Sequence, residues 1–183
     1  MKLLIGITSS IAAYRIPNLV SQLVKEGHEV KTIVTEKAKA FVAPQALAVM
    51  SRNPCYDDAQ EWGNTNQVLH IELAKWCDAM LIAPLTANTL AKMANGLCDN
   101  LLTSAVRALG KKPLILAPAM NTAMWENPIT AEHLARLKKY FNVTVIDPIY
   151  KKLVDGDEGI GALAEDETII HVINEMLSAG EME

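Results

Sequence analysis

Leu114-Ile115-Leu116-Ala117-Pro118-Ala119-Met120-Asn121-Thr122-Ala123-Met124-Trp125 decides how the rest of the chain is read. Leu114 to Ala117 has the length and apolar character of a buried strand, and Pro118 then removes a backbone donor, so the ladder is not expected to continue. Asn121 therefore falls at a strand's carboxyl end. In open α/β sheets ligands bind at that edge, which makes the stretch a candidate pocket wall, with Asn121 as its polar group and the Met and Trp side chains as apolar lining. The same residues read equally as a capped helix, with Asn121 as N-cap and Met124 and Trp125 in the core. The stretch alone leaves both open.

Working outward, apolar runs alternate with helix-period segments. Lys2 to Ile7, Glu29 to Thr35, Ala79 to Ala83 and Val143 to Ile146 read as further strands, the third ended by Pro84. Ser10 to Lys25 has helical spacing, and Pro17 inside it predicts a kink or a regular part shifted downstream. Glu36 to Met50 reads as helical pieces broken near Pro44. Thr86 to Met93, Asn100 to Leu109, Ile129 to Tyr140 after Asn127-Pro128, and Thr168 to Leu177 complete the helices. Tyr56 to Gln67 shows no period and is expected to be a loop turning at Trp62-Gly63-Asn64; a flap is expected at about 150–165. Strands alternating with helices specify an α/β fold, a single-domain doubly wound parallel sheet over 1–183, Rossmann-like or flavodoxin-like.

The chain of 183 residues is long enough for one well-buried core. Half its residues are hydrophobic, which predicts apolar surface covered by another subunit. A net charge of −4 without a basic run argues against nucleic-acid binding. No apolar run approaches membrane-spanning length, and Leu3 to Ile7 is too short for a signal peptide. Cys55, Cys77 and Cys98 are odd in number and widely spaced, so neither a disulfide framework nor a zinc site is indicated; a reducing cytoplasm fits.

Three further places carry polar groups towards the same sheet edge. The loop Gly6-Ile7-Thr8-Ser9-Ser10-Ile11-Ala12-Ala13 puts hydroxyls and backbone donors at a helix start, an anion site in form, although Ser9 or Ser10 could simply cap. It lacks the glycines of a dinucleotide fingerprint, and strand two ends in Thr35 where a ribose-binding acid would be expected, so a cofactor with one phosphate fits better than NAD. His70, just before the third strand, can take a proton near neutral pH, or can be a surface histidine starting a helix. Ala83-Pro84-Leu85-Thr86-Ala87-Asn88-Thr89 repeats the pattern of Pro118 to Asn121: a proline at a strand's end, small residues, an amide.

Ser10 to Tyr14, His70-Ile71-Glu72-Leu73, Ala83 to Leu90, Gly96-Leu97-Cys98-Asp99-Asn100-Leu101, Pro118 to Trp125, Lys151-Lys152-Leu153 and Gly156-Asp157-Glu158-Gly159 together resemble the homo-oligomeric flavin-containing cysteine decarboxylases, over nearly the whole chain. Within that family they look most like members acting on 4'-phosphopantothenoylcysteine. The resemblance implies FMN, with its phosphate near Ser10 and Thr35 and its ring near Thr86, Ala87, Asn88, Thr89, Ala119 and Met120; Ser9 and Ile11 are further cofactor-binding candidates. It implies a trimer or a multiple of trimers with flavin near the subunit boundary, His70 as base, and Asn121 with Met124 on the substrate. Lys151 and Lys152 are candidates for the substrate phosphate by charge. A peptide with a C-terminal cysteine is the alternative substrate, and a non-catalytic flavoprotein regulator the alternative role.

Two positions depart from the family. Asp155 stands where the resemblance expects a cysteine in K-K-L-x-C-G-D, and that thiol is the proton donor of the reductive half-reaction. A carboxyl group is a poor proton reservoir at neutral pH unless burial raises its pKa, so turnover is expected to stall at the enethiol. Ser9 replaces the glycine expected before Ser10.

Overall fold

The computed structural model describes residues 1–63, 67–152, 156 and 158–180. Strand β1 (Lys2–Ile7) passes through a 3-10 turn at Ile11–Arg15 into helix α1 (Ile16–Lys25). Pro17 sits in the first turn of α1, where its missing N–H is tolerated, so the regular helix is shifted downstream as the sequence predicts. Strand β2 (Glu29–Val34) is followed by a 3-10 stretch at Glu36–Ala40 and by α2 (Pro44–Ser51), which its proline opens. Then come β3 (Cys55–Tyr56), α3 (Asp58–Gly63), α4 (Leu69–Trp76), β4 (Ala79–Leu85), α5 (Ala87–Ala94), α6 (Leu101–Ala108) and β5 (Leu114–Pro118). The last elements are α7 (Thr122–Trp125), α8 (Pro128–Tyr140), β6 (Val143–Val145), β7 (Ile149–Lys152), β8 (Glu158–Ala162) and α9 (Asp166–Gly180).

Six strands form a parallel sheet in the order β3-β2-β1-β4-β5-β6. The chain winds outward from β1 in one direction, returns, and winds outward from β4 in the other, so the order reverses between the ends of β1 and β4. The five strands expected from sequence follow the flavodoxin-like order; the two-residue β3 at the edge extends it to the Rossmann order. β4 is buried along its whole length, as parallel strands covered on both faces must be.

Successive residues alternate between two cores. Leu3, Ile5, Leu81 and Ile115 pack with Leu19 and Leu23 of α1 and with Ile169 and Ile173 of α9. Leu4, Met80, Ile82 and Leu116 pack on the other face with Leu73 of α4, Leu90 of α5, Leu102 of α6 and Leu137 of α8. Gly6 lets this second layer approach: a Cβ there would lie 2.7 Å from Leu102 Cδ1 and 2.8 Å from Ile82 Cδ1.

Two expectations are corrected. Residues 56–63 are not a loop: Tyr56 belongs to β3, and Asp57 and Gln60 form a reciprocal capping box that starts α3. Asp57 Oδ1 accepts from the backbone of Gln60 while Gln60 Oε1 accepts from the backbone of Asp57. Trp62 and Gly63 end that helix, and Asn64 lies outside the described residues. Pro84 does not end its strand; β4 runs through a cis Ala83–Pro84 bond to Leu85, with a register shift that absorbs the missing donor. Within the expected flap at about 150–165, β7 and β8 pair antiparallel, and the glycines of β8 hide its strand character.

Candidate functional site at the carboxyl edge of the sheet

The loops leaving β1 and β4 are tied by one buried hydroxyl. Thr8 Oγ1 donates to the Pro84 carbonyl at 2.6 Å and accepts from the Thr86 N–H at 3.0 Å. The first bond satisfies the carbonyl of the proline itself, and the second holds the start of α5. β5 joins this frame, since Leu85 pairs with Pro118 and its carbonyl accepts from the Ala119 N–H at 3.0 Å. The two proline-bearing strand ends therefore lie side by side.

Beyond β5 the wall continues into the hairpin, where the Met120 N–H donates to the Gly161 carbonyl at 2.9 Å. Arg15 closes the other side. Its guanidinium donates to the carbonyls of Leu163 and Ala164, both at 3.1 Å, and pairs with Glu165 at 3.0 Å and Asp166 at 2.7 Å. Burial nevertheless pushes the Asp166 carboxyl above its ordinary range, against the pull of Arg15.

These elements enclose a cavity of about 620 Å³, within the roughly 300–1,000 Å³ of small-molecule sites. Ser10, Ile11, Ala119, Met120, Asn121, Lys151 and Lys152 line it together with Arg15 and Gly161. Seven residues chosen from sequence thus meet in one place. The lining is apolar on its strand and helix walls and cationic at the hairpin, a combination suited to a flat ring carrying an anionic tail.

The remaining sequence candidates are not among the residues lining this cavity. Ser9 is half-buried in the loop after β1. Thr35 follows β2 and is fixed by both its N–H and its hydroxyl to the Ile7 carbonyl. Thr86 caps α5 through the Thr89 N–H, Ala87 and Asn88 occupy the first turn of that helix, and Thr89 is buried. Met124 lies on α7 and is 48% exposed. Asp155 lies outside the described residues.

Asn121 corrects the choice between pocket wall and cap, because it is both. Its Oδ1 accepts from the Ala123 N–H at 2.8 Å and so caps α7. Capping uses the amide oxygen, whereas recognition of a carboxylate uses the amide N–H groups. The apolar half of the cap reading does not hold, since no residue of α7 is buried.

His70 stands at the start of α4, in the helix layer opposite α1 and α9, and does not line the cavity of its own chain. Its Nδ1 is in a short contact with Glu61 Oε1, and its backbone N–H donates to Glu61 Oε2 at 3.1 Å. The sequence reading missed the lining residues Ala12, Tyr14, Arg15, Gly161, Ala162 and Leu163, and Glu61 as the partner of His70. The spacing of Glu61 and His70 carries no helix or strand period, and Arg15 reaches its carboxylate partners across about 150 positions.

The chain matches the Flavoprotein family over residues 1–178. It is 49% identical over 183 residues to a phosphopantothenoylcysteine decarboxylase of Mus musculus, covering 97% of this chain and 87% of that protein. A solved structure of a cysteine-to-serine mutant of PPC decarboxylase, complexed with pantothenoylaminoethenethiol, superposes with a TM-score of 0.89 at 42% identity, covering 97% of this chain and 98% of the other. The FMN-binding protein AtHal3 gives a TM-score of 0.86 at 42% identity, covering 97% of each chain.

Proposed function

The chain belongs to the Flavoprotein family, and we propose that it is an FMN-dependent enzyme that decarboxylates 4'-phosphopantothenoylcysteine to 4'-phosphopantetheine in coenzyme A biosynthesis. The observation that carries this reading is the cavity at the strand ends, where a hydroxyl at a helix start, an apolar wall, an amide and two lysines converge. Relatives at this level of identity include a phosphopantothenoylcysteine decarboxylase of Mus musculus and a probable one of Streptococcus mutans.

The residues present fit a flavin mononucleotide. Ser9 and Ser10, after β1, offer hydroxyls for one phosphate, and Thr35, after β2, stands beside them with its own donors held by the Ile7 carbonyl. Ile11, Ala119 and Met120 offer apolar surface for the ring, and Thr86 to Asn88 border it. When bound, the flavin supplies a hydride acceptor and, for the reverse step, a donor.

His70 takes the proton of the substrate's thiol as the adjacent carbon is oxidised, leaving a carbon–sulfur double bond. Asn121 orients the carboxylate, whose bonding electrons flow into that double bond as carbon dioxide leaves, giving an enethiolate. Lys151 and Lys152 hold the distal phosphate; both line the cavity, and Lys151 is held by Glu165 at 3.5 Å. Protonation of the enethiol at the carbon that bore the carboxylate, and return of a hydride to the carbon bearing sulfur, would complete the thiol product. Asp155 replaces the expected thiol at that last step, so we infer that release stalls at the enethiol, the chemical class held by the cysteine-to-serine relative.

The working form is a homo-oligomer, a trimer or a multiple of trimers, in the cytoplasm. Ile11, Met124 and Tyr150 leave large apolar side chains 48%, 48% and 70% exposed on the elements that frame the cavity. His70 lies outside its own chain's cavity, so a neighbouring copy completes the site. Assay of the FMN-loaded protein against 4'-phosphopantothenoylcysteine and a cysteine-ended peptide tests the substrate. Turnover of the phosphorylated substrate is expected; exclusive turnover of the peptide would reassign the enzyme.

A further inference from the structure

We propose that Glu61 is a positioning residue for His70, fixing the imidazole tautomer with Nδ1 protonated so that Nε2 is the proton acceptor. The inference rests on the reading of His70 as base and extends it to a residue with no part in the sequence motifs.

Three observations carry it. The Glu61 side chain is 5% exposed and that of His70 is 25% exposed, so a carboxylate is withdrawn from water to meet this one ring. Such a burial costs free energy unless both oxygens are used. Both are: Oε1 meets the ring at Nδ1, and Oε2 accepts the His70 backbone N–H at 3.1 Å. The two contacts fix both the position of the backbone and the rotation of the ring. A carboxylate only accepts hydrogen bonds, so Nδ1 must carry the proton and Nε2 the lone pair. When Nε2 takes a proton from the substrate thiol, the positive charge that appears on the ring faces the Glu61 carboxylate.

The competing use of Glu61 is as a helix cap. Val68 makes no side-chain capping bond to α4, and Glu61 Oε2 serves an N–H of its first turn. Glutamine separates the two roles. In Glu61→Gln the amide oxygen can replace the cap, but the amide N–H then points at Nδ1, asks for an acceptor there, and moves the ring proton to Nε2. A purely structural Glu61 tolerates that exchange; a positioning Glu61 does not.

The test uses flavin-loaded protein with 4'-phosphopantothenoylcysteine, following carbon dioxide release, and nitrogen NMR of the histidine-labelled holoenzyme. Glu61→Gln is expected to lower kcat by about 100- to 10,000-fold, with KM and flavin affinity changed by less than about threefold, and Glu61→Asp to restore part of the loss. In the unsubstituted holoenzyme the His70 signals are expected to show Nδ1 protonated and Nε2 unprotonated, and to exchange these identities in Glu61→Gln. Unchanged kcat in Glu61→Gln, a loss that follows flavin release, or an unprotonated Nδ1 in the unsubstituted protein overturns the inference; the last needs no variant to fold. His70→Asn separates it from the reading it rests on: activity retained there removes the base itself, whereas activity lost there and kept in Glu61→Gln removes only Glu61.

Discussion

The Met120 N–H donates to the Gly161 carbonyl at 2.9 Å, which joins the hairpin to the strand end that carries Asn121. The junction is close: a Cβ at residue 161 would lie 2.2 Å from the Met120 carbonyl oxygen. Gly161→Ala must therefore push β8 off the pocket wall, at a cost of about 1–3 kcal/mol in the manner of an overpacked core. Chemical denaturation and flavin titration are expected to show lower stability and weaker flavin binding together. Unchanged flavin affinity would mean that the hairpin does not belong to the wall.

Thr8 offers a second test of the frame. Thr8→Val keeps the shape but strands the Pro84 carbonyl and the Thr86 N–H, which costs about 1–3 kcal/mol for each group left unpaired. Urea midpoints are expected to fall accordingly, with flavin affinity weakened because the exits of β1 and β4 are no longer tied.

His28 sets a pH dependence. The residue is 5% exposed, Nε2 meets Asn174 Oδ1 at 3.1 Å, and Nδ1 has no partner among the described residues; burial holds its pKa below the ordinary 6.5. The folded protein then binds fewer protons here than the unfolded chain, and stability present above pH 6.5 is lost as pH falls through the window beneath it. Asp99, held below its ordinary 3.8 by a hydrogen bond from Lys92, acts in a separate and lower window. Urea midpoints at pH 7 and at a mildly acidic pH are expected to differ in the unsubstituted protein and to converge in His28→Gln.

Lys152 should act on binding rather than on chemistry. Lys152→Gln is expected to raise KM for the phosphorylated substrate about tenfold, ~1.4 kcal/mol, while kcat holds. Added salt should raise KM in the unsubstituted enzyme and less so in the variant, as screening of an exposed charge requires. A kcat effect with constant KM would place the phosphate elsewhere.

The sheet was legible because β1, β4 and β5 are buried along nearly their whole length and read as apolar runs, and because Pro17, Pro44 and Asn127-Pro128 mark helix starts by local rules. Local rules also bring Ser10, Met120 and Asn121 to one edge, since parallel strands all end there. Pro84 misled because a register shift in β4 absorbs a proline that local propensity treats as a stop. α3 was visible in principle through the Asp57–Gln60 capping box, which the lack of a hydrophobic period concealed. Arg15 and the pairing of Glu61 with His70 depend on how distant segments fold together, and no periodicity encodes that.

Mass analysis of the product formed from 4'-phosphopantothenoylcysteine by the FMN-loaded protein tests decarboxylation most directly. The expected product has lost carbon dioxide and is two hydrogens short of 4'-phosphopantetheine, because Asp155 stands in for the proton-donating thiol; release of 4'-phosphopantetheine itself would keep the decarboxylase and remove the stall. Unchanged substrate with flavin bound would contradict the central claim.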